Sequence, residues 1–145
     1  MLIPKKTKYR YPHRLKYEGK AKGNKEVSWG QFGLKSQQGS YITNNQIEAA
    51  RKAISKFAKK IGKIRINIFP HLAKTKKPLE VRMGSGKGSV ESWVAVVKKG
   101  TIIFEVQGLP KDIAYKALKQ ASYKLPKSNS EEKDKYKIVE RNEPN

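Results

Sequence analysis

Val90-Glu91-Ser92-Trp93-Val94-Ala95-Val96-Val97-Lys98-Lys99-Gly100-Thr101-Ile102-Ile103-Phe104-Glu105-Val106-Gln107 decides how this chain folds. Val90 to Val97 and Thr101 to Gln107 read as two apolar strands. Between them Lys98-Lys99-Gly100 is a hairpin signal, with glycine where a positive φ is needed. Gly108-Leu109-Pro110 then opens a helix over Lys111 to Lys124. Its buried stripe is Ile113, Ala114, Ala117, Leu118, Ala121 and Leu125, and Pro126 terminates it. Asp112 near its start and Lys124 near its end suit the helix dipole.

Just upstream lies Val81-Arg82-Met83-Gly84-Ser85-Gly86-Lys87-Gly88-Ser89, after the rigid lead-in Lys76-Lys77-Pro78. Arg82 to Ser89 holds three glycines and two cations. Glycine lets a backbone approach another surface closely, and such a loop can lay N–H groups and charges on phosphate oxygens. Arg82 offers a planar fork, Lys87 a mobile point charge. Two enzymatic readings fail on the letters. A P-loop needs a Ser or Thr after Gly86-Lys87, where Gly88 stands, and a first glycine where Val81 stands; a dinucleotide fingerprint beginning at Gly84 and Gly86 breaks at Ser89. The plain alternative is a mobile surface loop with incidental charge.

Further upstream, a helix is expected from about Asn44 to Ile61. Thr43 and Gln46 form a capping box, Ile47, Ala50, Ile54, Phe57, Ala58 and Ile61 form the apolar stripe, and Gly62 ends it. Its other faces carry Arg51, Lys52, Lys56, Lys59 and Lys60 against Glu48 alone. A solvated face ordinarily mixes signs, so this one reads as phosphate-facing rather than merely solubilising. Lys63 to Phe69 alternates as a strand with Arg65 and Asn67 outward, stopped by Pro70. His71 to Leu79 reads as irregular. Val27, Trp29 and Gln31 fall on one side of an extended segment over Glu26 to Leu34. There Gly30 and Gly33 are close-approach points, Trp29 and Phe32 join the core, and Gly39-Ser40 makes a turn.

The chain ends differ. Residues 1–25 hold nine Lys or Arg and one acid, Glu18, with Tyr9, Tyr11 and Tyr17 interleaved. This suits an arm that orders on RNA, with a solvated tail as the plain alternative. Residues 127–145 hold five basic and five acidic residues, so the whole excess charge lies in residues 1–126 and the tail is not the RNA-binding element. Tyr136 to Val139 can add a short strand. The expected organisation is therefore a basic extension (1–25), an α+β domain (26–126) with a projecting loop (71–89), and a polar tail (127–145).

Composition narrows the function. The 145 residues are 37% hydrophobic, enough for one domain with a modest core. A net charge of +21, from 33 basic and 12 acidic residues, calls for a polyanionic partner. No apolar run approaches the roughly 18 residues of a membrane span, and the start lacks a secretory signal's apolar core. With no cysteine, and His13 and His71 far apart, no metal or other cofactor is expected.

Several blocks in order make the chain resemble the bacterial large-subunit ribosomal protein sixteen family (the universal L-sixteen/L-ten-e family) from Met1 to about Pro126. They are Pro4-Lys5-Lys6-Thr7-Lys8-Tyr9-Arg10, Gly30-Gln31-Phe32-Gly33-Leu34-Lys35, Thr43 with Gln46-Ile47-Glu48-Ala49-Ala50-Arg51, and Phe69-Pro70. Lys76 to Gly84, Gly86-Lys87-Gly88, Trp93-Val94-Ala95 and Lys124-Leu125-Pro126 complete the match. Lys6 and Trp29 depart from it, standing where Arg and Phe are expected, and an insert around Ser128 to Lys135 precedes the last strand.

The resemblance implies a non-catalytic α+β domain, two helices packed on a mainly antiparallel, hammerhead-like sheet. It also implies a cytoplasmic place in the large subunit, contact with 23S rRNA and neighbouring ribosomal proteins, and entry late in assembly. The aminoacyl-site tRNA is the expected further contact near the peptidyl-transferase region, with the peptidyl-site tRNA as the next candidate. Neither a membrane nor a small-molecule substrate is implied. By motif match, rRNA contact is carried onto Lys5, Lys6, Arg10, Arg51, Arg82, Met83, Gly84, Lys87 and Gly88. Arg14, Lys76, Lys77 and Gly86 are added from the same segments, and Lys52, Lys56, Lys59 and Lys60 from charge alone. The rival readings are an RNA-modifying enzyme, which lacks a catalytic cluster or cofactor loop, and a free regulatory nucleic-acid-binding protein, which would not co-sediment with ribosomes.

Overall fold

The computed structural model describes residues 25–58, 61–70, 72–76, 89–126 and 135–141, with the backbone alone at 73–76 and 89–92. In chain order the elements are β1 (Phe32–Ser36), β2 (Ser40–Thr43), α1 (Asn44–Ala58), β3 (Lys63–Ile66), β4 (Leu72–Lys76), β5 (Ser89–Val97), β6 (Ile102–Gln107), α2 (Lys111–Ser122) and β7 (Tyr136–Glu140). The architecture is α+β: two helices on antiparallel strands.

A run such as Ile102 to Val106, apolar apart from Glu105, calls for cover on both sides and a strand on either flank. It is buried throughout, and its ladders run to β3 and β1 in a sheet of order β3-β6-β1-β7. Leu34, Phe104 and Val106 turn to the face where both helices pack, joining Ile47, Ala50 and Ile54 of α1 and Ala114, Ala117, Leu118 and Ala121 of α2. Ile103 is the extra residue of a bulge, because Leu34 pairs with Phe104 but Lys35 with Ile102. β5 is likewise central, in a three-stranded sheet of order β2-β5-β4.

The expected β5–β6 hairpin is therefore wrong. Each strand already has neighbours on both flanks, so neither has an edge free for the other. Lys98 to Thr101 instead carries the chain from one sheet to the next, and Ser36 to Ser40 does the same between β1 and β2. The two crossings are pinned together: Gly100 N–H donates to Ser36 O at 2.7 Å and Ser36 N–H to Thr101 O at 2.8 Å. Gly100 has φ +96°, the conformation that residue was expected to supply.

The segment before β1 lies over the other face of the four-stranded sheet. Val27 is buried there, Ser28 N–H donates to Glu105 Oε1 at 2.8 Å, and Gln31 N–H donates to Val106 O at 2.9 Å. Glu105 is fully buried, and its Oε2 has no hydrogen-bond partner. Phe32 packs against the core and meets Tyr115 edge-on at 5.8 Å, whereas Trp29 is half-buried outside the core cluster.

The capping box forms as read. Thr43 Oγ1 accepts from Gln46 N–H at 3.2 Å and Gln46 Oε1 accepts from Thr43 N–H at 2.9 Å. α1 is described as far as Ala58, whose O accepts from the N–H groups of Ile61 and Gly62. Ile61, expected in the buried stripe, is 78% exposed. α2 ends at Ser122, before the expected Lys124, and Ile113 lies at the rim of its stripe, 38% exposed. β3 ends at Ile66; Asn67, expected to face outward, has a buried Oδ1 without a partner. β4 occupies part of the stretch read as irregular, because its cover comes from pairing with β5 rather than from its own pattern. Gly39-Ser40 is not a separate turn, since Ser40 already begins β2.

β7 forms the edge beside β1, from Phe32 opposite Glu140 to Ser36 opposite Tyr136. Gln37 N–H to Lys135 O (2.7 Å) and Arg141 N–H to Gln31 O (2.9 Å) extend that ladder at both ends. Tyr136 and Ile138 point to the core, and the Tyr136 hydroxyl donates to Pro126 O at 2.7 Å.

Candidate nucleic-acid interface

The outward face of α1 follows from its periodicity. With Ile47, Ala50, Ile54 and Ala58 buried and Phe57 packed against the same core, Lys52 and Lys56 fall on the opposite face. Lys52 and Lys56 are exposed, and no carboxylate of the described residues pairs with either. Arg51 is half-buried and its Nη2 donates to Glu48 Oε2 at 3.2 Å, so the single acid of this helix already balances one cation. Lys56 also sits in the last turn, where the helix dipole favours a positive charge.

The stretch expected to project as a loop is flanked by a ladder. β4 and β5 run antiparallel from Leu72 opposite Val94 to Lys76 opposite Ser89, so the chain on either side of residues 77–88 is paired. A firm base for this loop was expected from the β5–β6 run; the partner is β4 instead. Lys76 is the last residue of that base. Of the remaining sequence-derived candidates, Lys5, Lys6, Arg10, Arg14, Lys59, Lys60, Lys77, Arg82, Met83, Gly84, Gly86, Lys87 and Gly88 lie outside the described residues, as does His71.

A second cationic group was not read from the sequence. Lys25, Lys35, Lys99 and Lys137 line one groove at the corner where the strands cross between sheets. The β1–β7 register brings Lys35 beside Lys137, and the Ser36–Gly100 clamp brings Lys99 to them. Lys137 of β7 belongs to a tail whose own charges balance, so composition alone gives no sign of it.

β7 is also tied to α2. Lys111 Nζ lies 2.9 Å from Glu140 Oε1, and the Tyr115 hydroxyl donates to the same oxygen at 3.1 Å. The hydrogen bond from Lys111, then that from Tyr115, holds the Glu140 carboxyl below its usual range. The same bond to Glu140 raises Lys111. Burial pushes Tyr136 upward and Lys135 downward.

These features define a small, strongly basic α+β protein. Among the described residues there is no group of His, Cys, Asp or Glu placed to hold a metal, and no helix is long and apolar enough to cross a membrane. Residues 4–130 match the family model for ribosomal protein L16p/L10e, and the chain belongs to that family. The family is one of structural ribosomal components, not enzymes. The chain is 66% identical to the large ribosomal subunit protein uL16 of Spiroplasma kunkelii over 126 residues, covering 87% of this chain and 92% of that one. It is 58% identical to the uL16 protein of Acholeplasma laidlawii over 143 residues, 99% of each. Against the uL16 protein of Ureaplasma parvum it is 55% identical over 145 residues, the full length of both. The resemblance drawn from the motifs is correct.

Proposed function

We propose that this protein is a structural constituent of the cytoplasmic large ribosomal subunit. It binds 23S rRNA through its basic arm, the outward face of α1 and the 77–88 loop, and its loop reaches aminoacyl-site tRNA. Family membership supports the first statement. The observation that carries the RNA reading is the one-signed face of α1, with Lys52 and Lys56 exposed and without acid partners among the described residues, on a chain of net charge +21. Unscreened, such a face is a standing repulsion; against phosphates it releases counterions and gains affinity. The contacts it offers go to backbone rather than to base edges, so sequence readout is minor. The arm, the loop ladder and α1 then divide the work: the arm and helix hold the protein on rRNA, and the glycine loop enters where bulkier side chains would clash.

Ultraviolet cross-linking in cells, followed by sequencing of the attached RNA, tests this. Reads concentrated in 23S rRNA around the tRNA corridor are expected. Reads scattered over messenger RNA, with no co-sedimentation with ribosomes, would leave a free regulator instead.

A further inference from the structure

The lysine groove at the sheet corner has a geometry that the free protein gains nothing from. Lys35 and Lys137 are direct partners in the antiparallel β1–β7 ladder, so their side chains leave the same face of the sheet side by side. Like charges opposite one another across strands are destabilising. The Ser36–Gly100 clamp then brings in Lys99, and Lys35 Cε lies 4.0 Å from where a Cβ on Gly100 would stand. Lys25 closes the other side. Glu26 and Glu140 reach the neighbouring part of the same wall, but Glu140 is engaged by Lys111 and Tyr115. No carboxylate of the described residues pairs with any of the four lysines.

We propose that this groove is a second seat for the phosphodiester backbone of RNA, distinct from the α1 face and the 77–88 loop, and that β7 exists partly to complete it. Lysine supplies mobile point charges rather than planar forks, which suits phosphates presented at varied angles. Among the described residues no aromatic ring lines the groove, and backbone contact is what its lysines offer. A polyanion removes the Lys35–Lys137 repulsion on binding, so the strain of the free state becomes part of the affinity. The tail, neutral overall, thereby contributes one cation at a defined place.

This inference rests on the RNA-binding reading above, and the test separates the two. The full chain and two variants, Lys35→Ala/Lys99→Ala/Lys137→Ala and Lys52→Ala/Lys56→Ala, are titrated with naked 23S rRNA at several salt concentrations. Loss of three phosphate contacts should lower the slope of log affinity against log salt by about 2 to 3, and affinity about a hundredfold at 0.1 M salt. The free groove variant should melt at or above the parent temperature, since like charges have been removed. Should it misfold, Lys99→Ala alone, on the exposed turn, should lower the slope by about 1. A groove variant with parental slope and affinity, beside a weakened α1 variant, overturns the groove while leaving the RNA reading intact. A parent chain whose binding is weak and insensitive to salt defeats both. Amine-reactive footprinting supplies the last arm: Lys35, Lys99 and Lys137 shielded by rRNA alone supports the seat. Shielding only in the assembled subunit assigns the groove to a neighbouring protein and overturns it.

Discussion

Gly30 lies against the ladder it introduces: a Cβ built on it would stand 2.6 Å from Val106 O and 3.1 Å from Val106 C and N. Backbone of a central strand cannot swing aside as a side-chain tip can. Gly30→Ala should therefore destabilise by about 2 kcal/mol, read as a lower urea midpoint with unchanged slope. Thr43→Ala removes one half of the capping box and should cost about 1 kcal/mol by the same measurement. Tyr136 provides a pH signature. Burial raises its phenol above the ordinary value of 10.0, so the unfolded chain ionises first and deprotonation favours unfolding. The stability due to that burial is whole below about pH 10 and declines as the pH rises further. Tyr136→Phe should lose about 1 kcal/mol at neutral pH, with the bond to Pro126 O, and should show a shallower decline in melting temperature above pH 10. Tyr115, also raised by burial first, keeps some slope in the variant.

At the scale of elements, β7 covers an edge that would otherwise present the backbone groups of β1 to other chains. A chain ending at Pro126 should lose about 3 kcal/mol, from half-buried Tyr136 and Ile138 and their ladder, and should associate at high concentration. Thermal melting and light scattering report the two effects. Elements whose periodicity is self-contained were legible from the letters: α1 with its cap, α2 with its stripe, and the β3 alternation. What escaped was what depends on partners. Val90 to Gln107 reads as a hairpin because both runs are apolar and the turn has its glycine, yet the choice between folding back and crossing over lies with β1, β2, β3 and β4. Ile61 continues the α1 period in sequence, but its side chain is exposed. The α1 cations were legible because one helix presents them, and the groove was not, since its lysines are more than a hundred residues apart along the chain from Lys25 to Lys137.

For the molecule as a whole, a net charge of +21 makes salt act in opposite directions on folding and on binding. In the free protein, added salt screens repulsion along α1 and across the corner groove, so the melting temperature should rise between about 20 and 200 mM salt. In the complex the same ions compete for phosphates, and affinity for naked rRNA should fall by about three to five decades between 50 and 200 mM if six to ten phosphates are engaged. A stability that falls with salt would mean that attractive ion pairs dominate the surface, contrary to Lys52 and Lys56, exposed and without an acid partner among the described residues. The affinity also divides among parts. Lys56→Ala/Lys59→Ala/Lys60→Ala should weaken incorporation into large subunits, whereas Arg82→Ala, in the stretch between β4 and β5, should weaken tRNA-dependent function more than incorporation. Subunit occupancy by mass spectrometry and peptidyl-transfer rates on purified subunits read the two separately. Equal loss of incorporation in both variants would show that the loop is one more anchor rather than a probe, and that attachment is spread over the whole cationic surface.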